Sequence, residues 1–330
     1  MSSNKKKNIL IYLSKAILIA LLIVFVVRSF IVESYTISST QMETALLKGD
    51  EVLVNKTAYG IRLPMTIFSV PFVFDDLFGL KSYSTALEAP YCRIFDTYLK
   101  PNDIILFNNP LESEKPIDKR ALLVSRCVAL PGDTLEMKNG VLFINNMSYI
   151  LSPDVVNEYI FNISIQKDIE EVLQEQNISI RNYKLSGDTA SIELNKYEAF
   201  IVNQNLRDSL NIAVSGVHYN ESYKMAVPAK GMEIDLTAFN LSAYKQTILQ
   251  EQGSKARFNN DKLIIDGKEQ ARYIFEDDYY WMLSDNSSHS IDSRSLGFIP
   301  FSHVIGEVTY VWYHSDNANI SEDRRFSAVK

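Results

Sequence analysis

Ser125-Arg126-Cys127-Val128-Ala129-Leu130-Pro131-Gly132-Asp133 is the stretch on which the fold of this chain turns. Ala121 to Leu130 reads as a short apolar strand, and Pro131-Gly132-Asp133 ends it with a turn. Proline fixes one dihedral there, and glycine tolerates the positive φ that a tight turn needs. Upstream, Asp103-Ile104-Ile105-Leu106-Phe107 reads as a short buried strand. Tyr35 to Asn55 reads as strand, turn and strand, with Lys48-Gly49-Asp50 at the turn. Downstream, Thr134 to Ile144 reads as a hairpin around Lys138-Asn139-Gly140, and Asp261 to Tyr273 as a second around Asp266-Gly267. Asn-Gly and Asp-Gly are strong short hairpin signals. Tyr279 to Leu283, Gly297 to Pro300 and Val304 to Tyr313 return to the sheet, and Ser284 to Arg294 is a polar loop between them. Tyr59 to Lys100, with scattered proline, glycine and aromatics, reads as an irregular excursion lying on a membrane or lining a groove. Between about 151 and 270, polar segments alternate with short helical patterns such as Lys167 to Gln176, which predicts an α/β insertion. The last residues, Asp316 to Lys330, read as a solvated tail.

Ala16 to Val27 is an unbroken apolar run that extends toward Ile9 and Val32. About 20 such residues cross a hydrocarbon core as a helix. A cleavable signal peptide fits less well, because the run is long and Arg28 follows it where small residues would be expected. Lys5, Lys6 and Lys7 precede the run, which predicts a cytoplasmic N-terminus with everything after about residue 33 outside. The chain has 330 residues, 46% of them hydrophobic, enough for a sizeable core. Its net charge of −7 argues against a nucleic-acid footprint. Cys92 and Cys127 read as two packed thiols rather than a disulfide framework. His218, His303 and His314 show no metal-ligand spacing, and no phosphate-binding glycine loop or dinucleotide fingerprint is present, so neither a metal nor a cofactor is implied.

Four stretches, in order, resemble the type I signal peptidases, membrane-anchored serine proteases that use a Ser/Lys dyad. Arg28-Ser29-Phe30-Ile31 leaves the membrane span as that family's segment does. Ser39-Thr40-Gln41-Met42-Glu43 and Gly49-Asp50, followed by Tyr59-Gly60 and Arg62, resemble the box around its nucleophile. Asn102 to Asn108 and Arg126 to Asp133 resemble the region of its base. Ser284-Asp285-Asn286, then Ser290-Ile291-Asp292-Ser293-Arg294 and Gly297 to Pro300, resemble the loop that supports its site. The resemblance implies a mainly β fold: a signal-peptidase-like antiparallel β core with an inserted α/β domain and one N-terminal transmembrane helix. The expected division is 1–34 for the cytoplasmic tip and anchor, 35–150 with 271–315 for the core, 151–270 for the insertion and 316–330 for the tail. It also implies a bacterial-type plasma membrane, with the body on the outer, periplasmic side.

The departures fall on the chemistry. The resemblance puts Gln41 at the nucleophile position and Ser125 at the base position. A carboxamide is no nucleophile, and a serine is no general base at neutral pH. By strand alternation Ser39 shares the face of Gln41 while Thr40 points away; Ser39 falls on the family's oxyanion-hole serine. Ser290 falls on the serine that binds the lysine amine, and Asp292 and Arg294 on a pair that shapes the loop. Met42 follows the nucleophile position, and Asp285 is placed to pair with Arg126 across strands. Lys48 and Lys56 read as surface charges, and His289 as a loop histidine. The expectation is a member that has lost catalysis and keeps the anchor, the β fold and a groove for signal-peptide ends of exported preproteins. It would act alone or beside an active signal peptidase or the translocon. The alternative is an active enzyme with rearranged residues, such as Ser39 or Ser125.

Overall fold

The computed structural model describes residues 2–69, 76–77, 80–138, 141–149, 152, 154–206, 213–214, 223–259, 262–286, 290–314 and 324–329. Asn139-Gly140, His218 and Ser287 to His289, all part of the sequence reading, lie outside the described residues. A helix spans Ser2–Phe30, and its side chains from Ile11 to Ile23 are exposed all round. A helix apolar on every face with no protein against it suits lipid as its surroundings. The stretch Ile11–Phe30, 20 residues, is long and apolar enough to cross a bilayer.

The body is mainly β. Its central sheet has eight strands in the order Val32–Thr36, Asp50–Asn55, Val304–His314, Ile104–Asn108, Leu122–Ala129, Tyr279–Leu283 and Ile299–Pro300, with Ser327–Ala328 beside Val304–His314. Every pairing in it is antiparallel. The Ser327–Ala328 strand corrects the expectation of a solvated tail. Arg324 also donates to Asp50 Oδ2 at 2.7 Å and to the Ala45 carbonyl at 3.1 Å, which ties the tail to the turn before Asp50.

Both faces of this sheet are covered, which explains the unbroken apolar run at Ile104–Asn108, where all five residues are buried. Successive side chains point to opposite faces. Ile104 and Leu106 join Ile37, Met42, Leu46, Val52, Val124 and Val308 on one side. Ile105 and Phe107 join Tyr59, Cys127, Tyr280 and Ile299 on the other.

The segment read as one insertion feeds two separate cores. Tyr159, Ile169, Val172, Ile192 and Val202 form one among themselves. Here the strands Asn157–Asn162, Arg181–Ser186 and Thr189–Leu194 pack with the helices Gln166–Glu175 and Lys196–Asn205. The second helix is fixed at its start by an Asn195/Glu198 capping box. Val227, Ile234, Tyr244, Ile248 and Leu263 instead share a core with Val128, Leu135 and Trp281. The two hairpins pair as expected, Lys138 opposite Val141 and Ile265 opposite Lys268, and Asp266 and Gly267 carry φ of 48° and 80° at the second turn. Tyr59 to Lys100 contains short antiparallel pairs, among them Ile61–Arg62 with Arg93–Ile94 and Thr66–Ser69 with Tyr83–Glu88. Cys92 and Cys127 are both free; Cys127 is buried, but Cys92 is exposed rather than packed.

Candidate active-site groove

The Leu122–Ala129 strand pairs with Ile104–Asn108 along Leu122 to Arg126. On its other side Tyr279–Leu283 joins it only from Arg126 onward. Among the described residues, Leu122 to Ser125 therefore keep an open edge on that side. A cavity of about 430 Å³ lies there, lined by Leu122 and Val124 on one wall and Ile37, Ser38, Ser39, Gln41 and Met42 on the other. Lys115, Lys119 and Arg120 close one part of it.

Strand alternation does not carry through Ser39 to Gln41, because the chain turns after Ile37. Ile37 N–H donates to Asp50 O and Gly49 N–H to Ile37 O, and Glu43 N–H and Leu46 N–H close turns onto Thr40 and Met42. Ser39 and Thr40 are exposed while Gln41 and Met42 are buried. Ser39 and Gln41 still line the same cavity. Met42, 1% exposed, plugs the segment into the core beside Leu106 and Val124.

Gln41 Nε2 donates to the Val124 carbonyl oxygen at 2.9 Å, across the open edge. Its backbone carbonyl accepts from Asn286 N–H at 2.9 Å. Ser125 is absent from the cavity wall. It is completely buried, and its hydroxyl lies 3.2 Å from that of Ser284. No amine or imidazole is bonded to it among the described residues.

The support around these positions is rigid. Arg126 grips Asp285 through Nε to Oδ1 at 2.9 Å and Nη2 to Oδ2 at 2.6 Å, and its Nη1 donates to the Asn102 carbonyl at 3.0 Å. Burial pushes the Asp285 carboxyl up from its ordinary value, and the guanidinium opposes that shift. Asp292 accepts from Ser284 N–H at 2.9 Å, caps the short helix Ser293–Leu296 and holds Arg294 through both oxygens. Arg294 Nη2 donates to Ser290 Oγ at 2.5 Å.

Ser284, in the loop stretch already singled out in the sequence, occupies the space beside Ser125. Other contributors lacked a sequence signal. The chain entering the 154–206 lobe reaches the site: Val156 N–H donates to Asp285 O, Val156 bridges Asn286, and Thr44 Oγ1 donates to Asp154 O at 2.9 Å. Asp154 also lies 3.9 Å from Arg126. Nothing local in the sequence announces these particular contacts. Lys56, expected at the surface, is instead folded against the anchor exit; its Nζ binds Glu33 at 2.5 Å and the Arg28 carbonyl at 3.0 Å. Lys48 is exposed.

A family model described as signal peptidase, peptidase S26, matches residues 10–217 and 211–313. A signal peptidase I of Buchnera aphidicola subsp. Baizongia pistaciae is 28% identical over 322 residues, covering 94% of this chain and 81% of its own length. A signal peptidase I of Haemophilus influenzae is 24% identical, over 94% of this chain and 73% of its own length. The crystal structure of a signal peptidase I from Enterococcus faecalis V583 aligns with 64% of this chain and 98% of its own, at 14% identity and a TM-score of 0.26.

Proposed function

The chain belongs to the signal peptidase family, peptidase S26, and we propose that it is a membrane-anchored member that binds peptides without cleaving them. One observation carries this reading: the group at the nucleophile position is a carboxamide already bonded to Val124 O, while Ser125 is sealed against Ser284. Acyl transfer needs an oxygen nucleophile within reach of a base. Loss of one member of such a unit removes orders of magnitude in rate, and loss of the second adds little.

The groove itself remains. The open Leu122–Ser125 edge offers backbone groups to an added strand, the mode by which extended peptides dock on sheets. The natural occupant is the end of a signal peptide on an exported preprotein, delivered beside the anchor helix. In this reading the anchor crosses a bacterial-type plasma membrane once, with the Lys5-Lys6-Lys7 end in the cytoplasm and the body on the outer side. The protein then serves the export pathway as a holder of signal-peptide ends, beside an active signal peptidase or the translocon.

The test is a cleavage assay with the full chain in detergent and a preprotein ending its signal peptide in a small-x-small motif. No product is expected. Gln41→Ser with Ser125→Lys supplies the dyad, and adding Ser284→Gly clears the hydroxyl 3.2 Å from residue 125. The triple variant is expected to gain cleavage that the double variant shows weakly or not at all. A second reading, an active peptidase using Ser39, has one observation in its favour: Lys119, whose ammonium pKa is lowered by burial, lines the same cavity. Cleavage by the native chain that disappears in both Ser39→Ala and Lys119→Met overturns the non-catalytic reading.

A further inference from the structure

A second cavity, of about 580 Å³, lies at the foot of the anchor helix. Phe25, Arg28 and Phe30 of that helix line it, with Lys56, Arg62 and Asp118 from the body. Tyr35 and Lys119 line both cavities. The two adjoin at these shared side chains, and together they extend as a trough from the foot of the anchor helix to Gln41.

The charge of the trough opposes that of the chain. Six cations line it, Arg28, Lys56, Arg62, Lys115, Lys119 and Arg120, against the three carboxylates Glu33, Glu112 and Asp118. The whole chain carries −7. A cleft of one sign set in a body of the other concentrates ligands of opposite charge.

Most of these cations are engaged. Arg28 and Lys56 both bind Glu33, Lys115 lies 3.7 Å from Glu112, and Arg62 donates to Asn108 and the Ser302 carbonyl. Arg120 donates to the Lys115 and Pro110 carbonyls and lies against His303. Lys119 differs. Among the described residues its ammonium has no hydrogen-bonded carboxylate; its neighbours are the Tyr83 ring, at 5.8 Å, and Asp118, whose oxygens accept from the Met65 and Thr66 N–H groups and the Thr66 hydroxyl.

Resting on the groove reading above, we propose that Lys119 reads a carboxylate side chain, Asp or Glu, in the extended peptide that docks on the Leu122–Ser125 edge. Lys119 stands three residues before that edge begins, at the point where a peptide coming from the membrane enters it. A peptide fits better than an anionic lipid headgroup. The cations nearest the anchor helix are already bound to Glu33, whereas Lys119, with no hydrogen-bonded carboxylate among the described residues, lies beside backbone groups that only a peptide matches.

The experiment measures fluorescence anisotropy with the full chain in neutral detergent. Three labelled eight-residue peptides of alanine and valine carry Glu, Gln or Lys at one position each, scanned along the sequence. At one position the Glu peptide is expected to bind about fivefold tighter than Gln, the Lys peptide being weakest, as for one partly shielded ion pair. The preference disappears in Lys119→Met and returns in Lys119→Arg. Equal binding of all three peptides to the native chain overturns the role of Lys119 and leaves the groove intact. No binding of any peptide overturns the groove reading as well. A preference that survives Lys119→Met, with Lys119→Met instead losing vesicles rich in phosphatidylglycerol, assigns the cation to lipid and overturns the proposal.

Discussion

Gln41 and Ser125 are each held by a hydrogen-bonding partner inside the fold. A carboxamide is no nucleophile, and a buried serine with no amine or imidazole bonded to it among the described residues lacks a base. What each does instead depends on neighbours far along the chain: Val124 for Gln41, and Ser284, 159 residues away, for Ser125. Gln41→Ala removes one hydrogen bond at a cavity wall that water can reach, so a stability loss of about 1 kcal/mol or less is expected in urea unfolding. The same variant frees the Val124 carbonyl, and affinity for extended peptides should rise. Arg126→Ala is a different matter, because it strands the buried Asp285 carboxylate; about 3–5 kcal/mol is expected from the same measurement. The Arg126–Asp285 contact matches the pairing expected from the sequence, with Asp285 just past the Tyr279–Leu283 strand. The disposition of Ser39 is not, since alternation along a strand assumes a strand, and the chain turns after Ile37.

Strands and turns were the most legible elements wherever local chemistry dictates them, as at Asp266-Gly267 and in the buried run Ile104–Asn108. Close approaches between elements are not written locally. Gly306 shows why: a Cβ there would overlap the Asn55 carbonyl oxygen of the adjacent strand, a backbone atom with no freedom to move aside. Gly306→Ala is expected to cost about 1–3 kcal/mol, read from the urea midpoint. The turn Phe301–His303 that feeds the same strand carries a second hidden feature. Arg120, always a donor, points Nη1 at His303 Nε2 at 2.9 Å, so the ring proton sits on Nδ1 beside Ser302 Oγ. Burial, then the Arg120 and Arg62 charges, hold the His303 pKa well below 6.5. A folded-state pKa depressed in this way contributes stability above the unfolded value of 6.5, lost as pH falls through the folded one. The stability gap between native chain and His303→Gln should therefore narrow between pH 7 and 5, by at most about 1.4 kcal/mol per pH unit.

At the scale of the whole molecule, the legible part is the division of labour between an apolar helix and a β body. The illegible part is the trough joining them, since its walls come from residues 25 to 305 and no short window contains its charge. The anchor predicts that the full chain stays with membranes in alkaline carbonate, whereas a chain beginning at residue 34 is released. Which side of the membrane the body occupies is open to direct measurement through the two thiols. Cys127 is sealed in the core, and burial holds its thiol in the protonated, unreactive form. Cys92 is exposed on the body. The native protein thus carries its own single-site topology reporter: a membrane-impermeant maleimide added to intact cells should label it once, at Cys92, with no engineered tag.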